Sequence, residues 1–165
     1  PKPKERAWTE IFGALVGESW PDRLALGGTL GVARSTRSLW YGLRATVLRP
    51  TSQATFSALE AQVAAEVGLQ PAFAAGVRLS LALGPSVLFV QPQGELTARD
   101  STATASLFIA AHITRPVWFG SFALLPDVGV RVFTREQGVK VDSQKQLVLS
   151  GFVPQLSLGV AYRID

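Results

Sequence analysis

The chain has 165 residues, which suits a single domain able to bury a core or close a barrel. Charged residues are 17% of it, against roughly 25% in ordinary soluble domains, so the usual charge-covered surface is excluded. Its 16 Lys and Arg exceed its 12 Asp and Glu, but apart from PKPKER at the start they are dispersed, which argues against a nucleic-acid partner. The lack of Cys excludes disulfides and thiolate metal sites.

Residues 1–6 read as a charged, Pro-containing linker. Next, Trp8, Ile11, Phe12, Leu15 and Val16 recur at helical spacing, and Pro21 stops the pattern, so a short amphipathic helix is predicted over 7–20. Everything after it, residues 21–165, is predicted to be one β-barrel domain. The period there is two almost throughout. In FSALEAQVAAEVGLQ, residues 56–70, Leu59, Val63, Val67 and Leu69 share one strand face and Glu60, Gln62, Glu66 and Gln70 the other; a helix would mix them.

The same alternation predicts eight strands, over 24–34, 39–49, 56–70, 72–84, 86–98, 103–114, 117–134 and 146–164. Gly84-Pro85-Ser86 reads as a turn between the fourth and fifth, and 135–145 as the long loop. No run of 18 apolar residues exists, which leaves no transmembrane helix. The strands are, however, long enough to cross a bilayer at a tilt.

Eight alternating strands close either as a soluble barrel with the aliphatic face inward or as a membrane barrel with it outward. The second face decides. It consists of Gly, Ala, Ser, Thr and Gln with isolated charges, small enough to fill a narrow lumen and too poor in charge for a solvated surface. Leu59, Val63, Leu79, Leu81, Leu158 and Val160 are therefore expected to face lipid. The fold class predicted is all-β: an eight-stranded antiparallel up-and-down transmembrane β-barrel with a short N-terminal helix.

On the small-residue face Arg44, Arg78, Arg131 and Arg163 balance Glu60, Glu66, Glu95 and Asp127, as paired buried charges must. A lumenal ion-pair cluster of Arg44, Glu60, Glu66, Arg78 and Glu95 is predicted, with Arg44 near Glu60 and Arg78 a diagonal from Glu66. Gln62, Gln91 and Gln93 are expected to converge on the same lumen. The glycines of GGTLG, 27–31, lie within a strand and relieve crowding; they are not a phosphate loop. Trp8, Trp20, Trp40, Tyr41, Trp118, Phe119 and Tyr162 lie near segment ends, where interfacial aromatic belts belong.

The last strand carries SLGVAYRI, residues 157–164. It resembles the carboxy-terminal signature of bacterial outer-membrane β-barrels. Ser157 is the polar residue two before Gly159, and Tyr162 and Ile164 follow that glycine by three and five. Ile164 replaces the usual terminal Phe, and Asp165 follows it. The resemblance implies recognition by the barrel assembly machinery. The strand count resembles the small OmpA-transmembrane, OmpX and OmpW type of fold. Location in the bacterial outer membrane, with lipid and an envelope protein as partners, follows as an expectation.

His112 is the only histidine, so a His-based metal cluster is excluded. Outer-membrane enzymes that modify lipid A use a His with a nearby Ser, which HIT at 112–114 lacks; no enzyme, cofactor or metal is expected. A structural, anchoring or interaction role with a filled lumen is the expected function. A small pore and a soluble lipocalin-like carrier are the alternatives.

Overall fold

A computed structural model describes residues 7–20, 23–36, 38–51, 56–71, 76–92, 102–141, 144–149 and 151–164. The strands are β1 (Trp8–Trp20), β2 (Arg23–Ser35), β3 (Leu39–Pro50), β4 (Phe56–Leu69), β5 (Arg78–Pro92), β6 (Thr102–Thr114), β7 (Val117–Phe119), β8 (Phe122–Phe133), β9 (Gln137–Val141), β10 (Gln144–Leu149) and β11 (Phe152–Ile164). Eight of them, β1 to β6, β8 and β11, form one antiparallel sheet that closes because β11 pairs with both β8 and β1. Closure leaves no sheet edge, the condition for spanning hydrocarbon with strands.

The register can be followed once around. Trp8 pairs with Ser35, Ser35 with Trp40, Trp40 with Gly68, Gly68 with Ser80, Ser80 with His112, His112 with Gly129, Gly129 with Gln155, and Gln155 with Glu18. The path starts at residue 8 and returns to β1 at residue 18, a stagger of ten. Over eight strands this inclines each strand by about 40° to the axis, and side chains alone fill a barrel of that size.

Several elements differ from the sequence expectation. Residues 8–20 are strand β1, not a helix. Glu10, Phe12, Val16, Glu18 and Trp20 point inward while Ile11 and Leu15 point outward. Apolar Phe12 and Val16 on the lumenal face, beside lipid-facing Ile11 and Leu15, imitate a helical stripe. Pairing on both sides, with β2 and β11, decides for the strand. Gly84-Pro85-Ser86 is no turn either, but the middle of the 15-residue β5, which absorbs the predicted fourth and fifth strands. Pro85 has no N–H for the ladder, and pairing with β4 passes from Gln62–Ser86 to Ala65–Leu83 without changing register. The count of eight barrel strands stands because the strand gained at the N-terminus replaces the one lost here.

Because β5 is continuous its phase is continuous too. Leu88 and Val90, expected outside, are buried in the lumen, and Gln91, expected inside, is exposed. The segment 135–145 carries β9 and the start of β10, a two-stranded hairpin separate from the barrel sheet. At the other end a tight turn with Gly120 at φ 67° joins β7 to β8, which splits the predicted seventh strand.

Candidate functional site: a filled lumen and a lipid-facing exterior

Alternation turns one side chain in two outward, and on the outside these are Leu, Val, Ile, Phe and Tyr. Leu15 and Leu30 are 77% and 71% exposed, and Leu59, Val63, Leu79, Leu81, Leu158 and Val160 all lie on this surface. Water would not tolerate a continuous apolar band around a protein; hydrocarbon requires one. Tyr41, Phe119, Phe122 and Tyr162 border it at the end holding the termini, with the Phe122 and Tyr162 rings tilted against each other at 4.9 Å. Phe89 and Phe152 are exposed toward the opposite end. From Tyr162 to Phe152 is ten residues of tilted strand, a height of about 25 Å, which matches the apolar band of outer-membrane barrels. Trp20 and Trp40 do not belong to the belts: both are buried in the lumen. Trp8 and Trp118 flank the Arg163 guanidinium at 4.5 and 4.2 Å.

Inside, the charges are organised in three tiers. Nearest the termini, Arg78 on β5 grips Glu10 on β1 through two hydrogen bonds of 3.1 Å. Ser35 and Trp8 donate to the same carboxylate at 2.7 and 2.8 Å, and Arg78 lies 5.0 Å over the Trp40 ring. In the middle, Arg44 pairs with Glu66, which also accepts from Ser80. His112 bridges this tier: its Nε2 is 3.5 Å from Arg44 Nη1 and its Nδ1 3.1 Å from Asp127. Thr114 and Ser157 donate to Asp127 at 2.8 and 3.3 Å. Toward the other end, Arg131 donates to Glu60 at 2.8 and 2.9 Å and to Glu18 at 2.5 Å, while Trp20 donates to Glu18 at 3.1 Å. Ser86 donates to Glu60, and the Arg131 guanidinium sits 4.4 Å over Phe133.

Among the described residues, five inward-facing arginines (Arg23, Arg44, Arg78, Arg131, Arg163) meet five inward carboxylates (Glu10, Glu18, Glu60, Glu66, Asp127). A low-dielectric interior accepts ions only in such a balance. Two lumenal cavities measure about 30 Å³, lined by Phe12, Trp40, Arg44, Arg78 and Asp127, and about 10 Å³, lined by Gln62, Phe108 and His112. Each is near the size of a single water, far below that of a carried ligand.

Of the cluster residues read from the sequence, Arg44, Glu60, Glu66 and Arg78 are all lumenal, but their partners differ from those expected. Register sets Leu48 opposite Glu60, which leaves Arg44 one diagonal from Glu66, and Glu60 goes to Arg131. Arg78 stands four residues from Ala82, the partner of Glu66 across the ladder, and reaches over the lumen to Glu10 instead. Glu95 and Gln93 lie outside the described residues. Glu10 and Glu18 escape a helical reading of 7–20; strand alternation in that segment, with Glu10, Phe12, Val16 and Glu18 in phase, is the signal that finds them.

The signature residues of the last strand occupy the closing seam. Gly159 pairs with Ala14 on β1, where a Cβ would come within 2.6 Å of the Ala14 Cβ and the Gly13 carbonyl. Tyr162 lies on Phe122, Ile164 pairs with Thr9, and Ser157 bonds Asp127. Gly31, in GGTLG, leaves room for Phe12, whose Cζ would lie 2.2 Å from an added Cβ.

No known protein family matches the sequence, and no curated protein matches it. Solved structures do match. Neisserial surface protein A is 11% identical with a TM-score of 0.58, covering 96% of this chain and 97% of that one. Ail, the attachment invasion locus protein of Yersinia pestis, is 14% identical with a TM-score of 0.59, over 97% and 99%. A major outer membrane protein from Thermus thermophilus is 17% identical with a TM-score of 0.60, over 96% and 100%. With its apolar exterior and closed register, the chain has the eight-stranded barrel fold of small bacterial outer-membrane proteins.

Proposed function

We propose that this protein is an outer-membrane barrel with a structural, anchoring or interaction role, whose lumen is a permanently filled core. The observation that carries the reading is the three-tier ion-pair network, which occupies the axis where a solute would have to pass. Both termini lie at one end, as an even strand number requires, and that end is the periplasmic one; the longer connections, including the β9–β10 hairpin, face outward. Ser157, Gly159, Tyr162 and Ile164 act in assembly, with the barrel assembly machinery as the partner that reads them. The two ring nitrogens of His112 face Asp127 and Arg44, an arrangement suited to holding the lumen together and not to activating a nucleophile.

The test is conductance. Purified protein in planar bilayers is expected to give no steady current, and large reproducible single-channel steps would replace this reading with the pore. A protein that stays folded and soluble without detergent would replace it with a soluble carrier.

A further inference from the structure

The outside of the barrel is apolar almost throughout, and one place where polar side chains interrupt it is compact. Arg49 on β3, Ser57 on β4 and Gln91 on β5 stand on adjacent strands at the end away from the termini. Arg49 and Gln91 are exposed and Ser57 is half-buried. Ser57 pairs with Gln91, Leu59 with Phe89, and Phe89 with Ala103. Together these six residues border a surface groove of about 490 Å³. Leu59, Phe89 and Ala103 form its apolar part, and Arg49, Ser57 and Gln91 its polar part.

Arg49 is eight residues along β3 from the belt residue Tyr41, about 20 Å up a band of about 25 Å, so its side chain reaches the headgroup level above the hydrocarbon. Its guanidinium makes no ion pair with any described residue. An outward cation at the edge of a membrane takes an anion from the lipid. The larger exterior groove, about 730 Å³ between Leu81, Ala111, Ile113 and Val130, turns only apolar side chains outward and offers nothing to select a headgroup.

We propose that the Arg49 groove binds a membrane lipid through its phosphate headgroup, in the leaflet at the end opposite the termini. Arg49 takes the phosphate with paired charge-assisted hydrogen bonds. Ser57 and Gln91, one and two strands on and farther toward that end, bond the remaining headgroup oxygens, and an acyl chain runs back toward the middle of the band over the paired Val47 and Ala61. The inference rests on the membrane reading and is independent of the filled lumen.

Native mass spectrometry of the detergent-solubilised protein tests it, with phosphatidic acid and diacylglycerol of identical chains as probes and inorganic phosphate as competitor. Phosphatidic acid is expected to be retained about tenfold better than diacylglycerol, and inorganic phosphate at the same concentration is expected not to displace it. Arg49→Ala should lower that retention about five- to tenfold, the effect of one interfacial arginine. Arg115→Ala, at the opposite end, should leave it unchanged, and an unaltered gel shift on heating shows that each variant is folded. Equal retention by Arg49→Ala, equal loss in Arg115→Ala, or displacement by inorganic phosphate would each overturn the site. Failure of the membrane reading itself would show separately, as a folded protein that needs no detergent.

Discussion

Arg78 and Glu10 meet across the barrel axis from strands on opposite walls, 68 residues apart in sequence, with two 3.1 Å hydrogen bonds between them. Both side chains are almost wholly withdrawn from solvent. Removing the cation alone leaves a buried, uncompensated carboxylate, so Arg78→Ala should destabilise the folded barrel by about 3–5 kcal/mol. Replacing both partners at once, Glu10→Gln with Arg78→Met, should cost much less than the sum of the single changes. Urea unfolding in lipid vesicles measures both, and an unchanged midpoint for Arg78→Ala would mean that water reaches the pair.

Arg131 is a different problem for substitution because it serves two carboxylates and two rings. Its planar fork bonds Glu60 twice and Glu18 once, while Phe108 and Phe133 lie 5.5 and 4.4 Å from it. Lysine keeps the charge but neither the fork nor the stacking. Arg131→Lys should therefore destabilise by about 2 kcal/mol, read from the same unfolding curves; a variant as stable as the parent would reduce the role of Arg131 to charge alone.

Leu81 stands on the lipid-facing side in the middle of the band, 58% exposed. Lysine there should lower stability by about 2–4 kcal/mol in bilayers. Arg115→Lys, which keeps a charge already present near the end holding the termini, should be close to neutral. Equal effects at the two positions would contradict the placement of the membrane.

At Gly159 the seam between β11 and β1 closes against a backbone that leaves no space for a side chain. Gly159→Val should therefore accumulate as protease-sensitive, unclosed protein, with little of the form that migrates faster on gels before heating. Tyr162→Asp should fail in the same assay if the terminal strand is what the assembly machinery reads. Loss in Gly159→Val together with normal insertion of Tyr162→Asp would confine the strand's role to packing.

Period-two alternation makes the barrel and the direction of its faces readable, because Leu59, Val63 and Leu81 need only their local phase to be assigned outward. Local phase fails where both faces are apolar. Phe12 and Val16 inside and Ile11 and Leu15 outside hide β1, and with it Glu10 and Glu18. It fails again at Pro85, because a proline inside a paired strand looks like punctuation until the neighbouring ladders are known. The inward charges are legible as a set. Their partners are not, since the bonds of Arg78 to Glu10 and of Arg131 to Glu18 depend on which strands oppose each other around a ten-residue stagger, and no neighbouring residues encode that.

The cross-lumen bonds also act as a gauge on the barrel's girth. Arg78 must span from β5 to β1, and Arg131 on β8 must reach both β1 and β4, so their side-chain lengths match the interior of eight strands and no more. A duplicated hairpin, a simple route to larger barrels in sequence, would widen the ring by about a quarter and pull both arginines out of reach of their carboxylates. Each stranded ion would then sit in a space too wide to be dry and too charged to be empty. Girth could therefore grow in this lineage only after the spokes had been exchanged for groups that water can satisfy.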